Sequence, residues 1–270
     1  MPELPEVETS VQAIQEFNNQ KLQSIQVYNP NLRWKVDIAS LQKIKNQMVY
    51  KISRRAKYIL FNLEKSQLLL HLGMSGTIRI SQKNSNLYKK HDHIELVFKK
   101  GKIIFNDPRR FGSIHLISSP YNHFLLNKLG PEPLSENFNG EYFYQKIKNS
   151  VAPIKSALMN QHNVVGIGNI YANEVLFDAR IRPTRKCRTL TKKETISIDF
   201  SIKKILNRAI ELGGTTLKDF HQPDGNKGYF KIELSVYDRA DKKCKACKKQ
   251  SIKKIILAQR ATYFCKDCQN

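Results

Sequence analysis

The chain has no apolar stretch near the roughly 18–20 residues that a membrane-spanning helix requires, which excludes helical insertion into a bilayer. It also lacks a secretory signal: acid stands where a basic n-region belongs in Met1-Pro2-Glu3-Leu4-Pro5-Glu6, and no apolar core follows. The expected compartment is therefore the cytoplasm, where thiols stay reduced. No internal repeat and no low-complexity run is present. Negative charge is scarce as well, with 23 Asp and Glu against 46 Lys and Arg over 270 residues, a formal net charge of +23. An excess of that size implies a polyanionic partner, and nucleic acid is the first candidate because neutralising phosphates releases counterions. An anionic membrane surface and plain solubility remain open, since 33 of the 46 basic residues are Lys.

With 40% hydrophobic residues the chain can fill one large or two ordinary domains. Short alternating runs at Lys21–Tyr28, Val49–Arg54, Tyr58–Leu63, Gln67–Leu72, Thr77–Ile80, Ile94–Phe98, Lys102–Phe105 and Ser113–Ile117 predict an antiparallel sandwich. Ahead of them, Val7, Val11, Ile14 and Phe17 recur at helical spacing behind Pro5. Leu129-Gly130-Pro131-Glu132-Pro133 breaks the pattern and reads as a hinge. Helices follow at Glu141–Asn149, Ile154–Asn160, Ile170–Asp178 and Thr191–Leu212, the last stopped by Gly213-Gly214. Residues Thr215–Tyr229, rich in turn formers, read as a mobile loop. The expected fold class is α+β, with segments 1–130, 131–236 and 237–270.

The sharpest local signal is Cys244-x2-Cys247, seventeen intervening residues, then Cys265-x2-Cys268. Two such knuckles can close a tetrahedral site around one structural zinc, leaving no position for a reacting water. A pair of disulfides or four unligated thiols is the alternative. From Arg239 to Cys268 ten basic residues face only Asp241 and Asp267, a coating suited to a phosphate backbone. Lys248 stands where such turns often use glycine. Cys187 is an ordinary leftover thiol.

At the other end, removal of Met1 would leave the secondary amine of Pro2 as the N-terminus. An α-amino group titrates near pH 8, so a useful fraction is neutral and can attack a sugar C1′ or a carbonyl. Glu3 and Glu6 add two carboxylates for proton transfer, though both also suit the first turn of a helix.

Met1-Pro2-Glu3-Leu4-Pro5-Glu6-Val7-Glu8-Thr9 resembles the opening of the bacterial formamidopyrimidine-DNA glycosylases. The resemblance recurs, in order, at Arg54-Arg55-Ala56-Lys57-Tyr58, His71-Leu72-Gly73-Met74-Ser75-Gly76, Lys90-His91-Asp92-His93 and Asp107-Pro108-Arg109-Arg110-Phe111-Gly112. It continues at Leu129-Gly130-Pro131-Glu132-Pro133-Leu134, Val164–Ala172, Gly213-Gly214-Thr215-Thr216-Leu217 and Gln259-Arg260-Ala261-Thr262.

The resemblance implies a bifunctional glycosylase and abasic-site lyase that removes oxidised purines such as 8-oxoguanine and formamidopyrimidines from duplex DNA and nicks the strand by β,δ-elimination. It implies Pro2 as nucleophile, Glu3 as the acid at the ring oxygen, Lys57 as proton donor and phosphate contact, and Arg260 as the residue of δ-elimination. Met74, Arg109 and Phe111 match the wedge that fills the space of an extruded base. His71, His91, Lys155 and Asn169 match backbone contacts, Asn169 within a helix–two-turns–helix element beside Gly166 and Gly168. Read singly, Met74 and Phe111 would pass for core, Lys57 for a surface lysine, and Gly-x-Gly for a turn. The loop Lys218–Tyr229 covers the extruded base in relatives. Lys248 and a hairpin one residue longer than expected depart from the pattern, and Ser150 stands near where relatives carry a basic DNA contact. A monomer acting on damaged or abasic duplex DNA is expected. The rivals are the related enzyme for oxidised pyrimidines, and a zinc-finger protein that binds damaged DNA without chemistry.

Overall fold

The computed structural model describes residues 2–85, 88–118, 123–215 and 233–270, so most of the segment expected to form the Thr215–Tyr229 loop lies outside the described residues. The chain divides into two compact units, 1–127 with 210–231 and 128–209 with 232–270.

The first unit opens with α1 (Leu4–Ala13), whose buried Val7 and Val11 sit one turn apart. Glu3 caps it through a reciprocal box: the Glu3 backbone N–H donates to Glu6 Oε2 at 2.8 Å, while the Glu3 side chain accepts from the Glu6 N–H. Ten strands follow, interrupted by the single helical turn α2 (Ile38–Gln42). β1 (Gln20–Lys21) pairs with β3 (Met48–Val49). β4 (Lys51–Arg55), β5 (Tyr58–Asn62), β6 (Gln67–His71) and β10 (Ser113–Ile117) form one antiparallel sheet in the order β10-β6-β5-β4. β2 (Ser24–Val27), β8 (Asp92–Val97), β9 (Lys102–Asn106) and β7 (Thr77–Ser81) form the other, in that order. Alternate residues of both sheets, Ile59, Phe61, Leu70, Ile94, Ile103 and Phe105 among them, share one core with α1. That is the period-2 signature of two sheets facing each other.

The run Lys21–Tyr28 does not form the single strand expected. The Leu22 N–H pairs with Gln47 O and the Gln23 N–H with Val97 O, so the backbone changes partners between β1 and β2. α2 answers to no period in the sequence; Asp37 caps it by accepting from the Ser40 N–H at 3.0 Å.

The second unit holds α3 (Gly140–Ile147), α4 (Ile154–Met159), α5 (Asn169–Asp178) and most of α6 (Lys192–Glu211), then the hairpin of β11 (Lys253–Leu257) and β12 (Arg260–Phe264). α5 is buried at all but its two terminal positions, so that even its polar residues are enclosed. Its two buried polar residues are fully engaged. Asn173 accepts from the Tyr263 N–H at 2.7 Å, and Glu174 takes the N–H groups of Ser235, Val236 and Tyr237 at 2.8–2.9 Å. Burial nonetheless pushes the Glu174 carboxyl up from its ordinary range, against those three donors. No helix among the described residues is long and apolar enough to cross a membrane.

Candidate active site

In the first unit the N-terminal segment is fixed by carboxylates. Pro2, Glu3 and Glu6 are all buried. Besides the Glu3 N–H, Glu6 accepts the Thr215 N–H on Oε1 at 2.7 Å. That contact needs the backbone after α6 to turn sharply, and Gly213 and Gly214 do so at φ +73° and +79°. A Cβ on Gly214 would lie 3.1 Å from Glu6 Oε1. Both Glu6 oxygens thus hold backbone, which makes this residue a clamp on the position of Glu3 and its neighbours.

Glu8 on α1 pairs with Arg54 Nε at 2.6 Å, and Arg54 also donates to Ala56 O at 3.0 Å. These bonds tie α1 to the tight β4–β5 turn, where Ala56 adopts φ +53° and presents Lys57. Lys57 is largely buried beside His71. Burial, then the charges of Lys57, Arg33 and His115, push the His71 imidazole down to about 4. It is therefore neutral at physiological pH, and its Nδ1 accepts the Gly73 N–H at 3.3 Å. The proton then resides on Nε2, which suits a hydrogen bond to a phosphate oxygen.

Met74 and Phe111 come from two turns whose backbones pack closely together. Gly73, at φ +70°, approaches the other turn so closely that a Cβ there would sit 2.4 Å from the backbone of Phe111 and Gly112. Asp107, wholly buried, organises the second turn. Its Oδ1 accepts from Ser75 Oγ at 2.6 Å and the Arg109 N–H at 3.2 Å, and its Oδ2 accepts from the Gly112 N–H at 2.8 Å. Phe111 consequently stands 42% exposed, a costly place for a phenyl ring unless something covers it, and Arg109 lies 4.9 Å from its centroid. Met74, half-buried, and His71 share the same cavity, of about 730 Å³. His91 adopts φ +72°, and its carbonyl accepts the Asp107 N–H at 3.0 Å.

In the second unit, Asn169 opens α5 just after Gly168 and donates from Nδ2 to Ala261 O at 3.1 Å, while its Oδ1 is buried without a partner. Lys155 behaves differently from the phosphate contact that the resemblance implies. It is 1% exposed, and its ammonium donates to Ala261 O at 2.9 Å and Thr262 Oγ1 at 2.7 Å. A buried ammonium must satisfy its donors inside the protein, and here β12 satisfies two of them. Arg260, next to that anchored stretch, is exposed. It follows Ala258 and Gln259, whose φ angles of +47° and +58° form the tight turn of the hairpin.

The four cysteine sulfurs lie within 4.8 Å of one another, with Cys244–Cys268 at 3.8 Å and Cys247–Cys265 at 3.7 Å. For Zn–S bonds of about 2.3 Å, a tetrahedron sets sulfurs about 3.8 Å apart, so the residues fit a structural zinc. Lys248 takes φ +58°, the left-handed conformation for which glycine is the usual choice, without disturbing the ligands. Backbone N–H groups of Gln250 and Lys249 draw the Cys247 thiol down to about 6, whereas desolvation and its neighbours push Cys268 up to about 12. Only a cation lets all four ionise together.

Arg33 and Glu174 escaped the sequence reading, and Asp107 was noted only within its motif. Asp107 carried a usable signal, since Asp before Pro with Gly five residues on marks a side chain that can gather turn N–H groups. The other two had none.

Residues 1–114 match the family described as Formamidopyrimidine-DNA glycosylase N-terminal domain, and residues 129–221 match the Formamidopyrimidine-DNA glycosylase H2TH domain. The chain is 47% identical over 272 residues to the formamidopyrimidine-DNA glycosylase of Hydrogenovibrio crunogenus, covering 100% of this chain and 96% of that one. It is also 47% identical over 271 residues to that of Photorhabdus laumondii, at 100% of both. Its structure resembles a Lactococcus lactis FPG mutant solved in complex with Fapy-dG-containing DNA, with a TM-score of 0.91, 36% identity and 100% of both chains covered. The MutM (FPG) protein from Thermus thermophilus gives 0.89, also at 36% identity, over 99% of this chain and 98% of that chain. With two family domains in order and full-length relatives at this identity, the chain belongs to the formamidopyrimidine-DNA glycosylase family.

Proposed function

We infer that this protein is a DNA glycosylase and abasic-site lyase of base excision repair, acting on oxidised purines in duplex DNA. The observation that carries the reading is the wedge: Met74 and Phe111 stand at one cavity with Arg109, on turns fastened to buried Asp107 through Ser75, the Arg109 N–H and the Gly112 N–H. A protein that leaves the stack intact has no use for an exposed phenyl ring there, whereas base extrusion leaves a gap to fill.

In this reading the neutral amine of Pro2, exposed by removal of Met1, attacks C1′ while the C1′–N bond breaks and the base leaves with its electrons. Pro2 sheds its N–H proton, balancing the one the departing base takes up, Glu3 protonates the ring oxygen as the C1′–O bond breaks and the sugar opens, and an iminium forms between Pro2 and C1′. That cation acidifies the adjacent C2′–H, so loss of a proton expels the 3′ phosphate, and a second elimination expels the 5′ phosphate. Lys57 handles protons at the first elimination and Arg260 serves the second. Glu6 positions Glu3. His71, His91 and Asn169 contact the backbone, with His71 as a neutral donor. Arg109 bonds the unpaired base opposite. Zinc on Cys244, Cys247, Cys265 and Cys268 holds the hairpin that carries Arg260 and takes no part in the chemistry. The three functional segments are 1–130, 131–236 and 237–270, and the protein works as a cytoplasmic monomer.

The test is product analysis on a duplex with 8-oxoguanine opposite cytosine. Free 8-oxoguanine and a one-nucleotide gap with phosphate at both ends are expected. Tight binding with an intact strand would favour the non-catalytic reading, and a strong preference for oxidised pyrimidines would favour the sister enzyme.

A further inference from the structure

The cavity that holds the wedge has a second wall with no assigned role. Arg33 forms it, from the loop ahead of α2, fastened by its backbone N–H to Gly112 O at 3.1 Å. Arg33, Arg109 and Arg110 line this cavity with His71, and among the described residues no carboxylate pairs with any of the three. The Arg33 guanidinium lies 4.8 Å from the centroid of Trp34. A guanidinium over an aromatic ring keeps its N–H donors available to an anion.

Trp34 continues the surface away from the cavity. It meets His115 edge-on at 5.5 Å and Phe124 at 5.6 Å, and His123 joins both at 5.2 and 4.6 Å. Phe124 is 60% exposed, and His115 Nε2 is buried without a partner. Burial lowers both histidines from their ordinary range, so the rings are neutral and do not repel the arginine. Single exposed aromatics are ordinary; four rings joined to an unpaired arginine at the rim of a basic cavity are a binding surface.

We propose that Arg33, Trp34, His115, His123 and Phe124 form a second DNA contact, which holds the strand opposite the lesion on the nucleotide flanking the unpaired base. This rests on the glycosylase reading, in which Arg109 and Phe111 engage that unpaired base. The strand leaving the cavity past them meets Arg33 at its next phosphate and the aromatic cluster at the attached sugar and base. Charge complementarity and continuity with the wedge select this occupant. A partner protein has no comparable claim, because the patch adjoins the cavity where the duplex must sit.

Trp34 is the only tryptophan of the chain, so its fluorescence reports on this surface alone. Acrylamide quenching is measured in the full-length protein, free and saturated with a duplex carrying a tetrahydrofuran abasic analogue opposite dC. Shielding by the intact duplex is expected, lost when the opposite strand is ended at that dC on the 5′ or the 3′ side. Removing one phosphate contact with Arg33→Gln should lower the salt slope of log K by about 0.9, an affinity loss of about eightfold at 0.1 M salt. Phe124→Ala should cost about tenfold. If Trp34 stays equally quenchable in the saturated complex, or both truncated duplexes shield it fully, the proposal is overturned. Borohydride trapping of the wild type on a duplex with 8-oxoguanine opposite dC is run in parallel: its failure would strike the glycosylase reading, whereas successful trapping with an unshielded Trp34 strikes this one alone.

Discussion

Glu3→Gln is expected to lower excision of 8-oxoguanine by about 10²–10⁴-fold, the usual contribution of a positioned general acid, while affinity for the same duplex stays within a factor of about two, since every phosphate contact and its salt-dependent contribution are retained. The substitution isolates chemistry because the rest of its environment survives. The Glu3 backbone N–H still donates to Glu6, and glutamine still offers an oxygen to the Glu6 N–H, so α1 keeps its cap. Cleavage of a duplex that already contains an abasic site should persist, because Pro2 then meets a sugar that has lost its base. Single-turnover excision and equilibrium binding, measured on both substrates, check this. A parallel loss of affinity would mean that Glu3 holds the fold or the DNA and does not supply the proton.

Glu6→Gln is the informative contrast. Its two oxygens accept from Glu3 and from Thr215, so replacing one by an NH₂ group sets donor against donor in a buried site. Unpaired buried polar groups typically cost about 1–3 kcal/mol, and the defect should appear in thermal stability as much as in rate.

The second large effect concerns the metal. A structural zinc contributes about 10–16 kcal/mol to folding the segment it holds, far beyond what the small cluster of Val236, Ile252 and Tyr263 around the cysteines can replace. Chelation should therefore unfold β11 and β12, remove Arg260 with them, and weaken binding to any duplex by at least tenfold, roughly the loss of one or more phosphate contacts. Trp34 lies in the other compact unit, and its fluorescence should stay unchanged, which separates hairpin loss from global unfolding. Metal content, circular dichroism and affinity are read on one sample. Metal-free protein that binds damaged DNA normally would show that the hairpin is not a DNA grip.

Much of the scaffold was legible in the sequence because the information was local. Gln67–His71, Lys102–Asn106 and Ser113–Ile117 lie within a residue of the expected strands, and α6 begins one residue after Thr191, which caps it with Glu194. Hydrophobic alternation reports burial and says nothing about partners, so the change of sheet between Lys21 and Ser24 was invisible. The knuckle spacing determined the sulfur cluster outright, since two residues between cysteines leave a tight turn little else to do.

The site was legible only as motifs. A phenylalanine is ordinarily core, and nothing in the type of Phe111 marks it otherwise; its exposure follows from Asp107 gathering the turn and from Gly73, remote in sequence, admitting the backbone. Lys155 shows the converse: a lysine in a basic chain invites a phosphate, yet the Ala261 carbonyl and Thr262 hydroxyl, more than a hundred residues away, claim its ammonium. Arg33 is one of many basic residues until the fold brings it to the cavity that Arg109 also lines.

The central claim is that Pro2 becomes covalently joined to the sugar of the damaged nucleotide. Borohydride added during incubation with an 8-oxoguanine duplex reduces the iminium to a stable amine, and peptide mass spectrometry locates the bond. The account predicts a one-to-one adduct on the N-terminal peptide beginning at Pro2, with Met1 gone. No adduct while the duplex remains bound, or an adduct on a lysine such as Lys57, would contradict it.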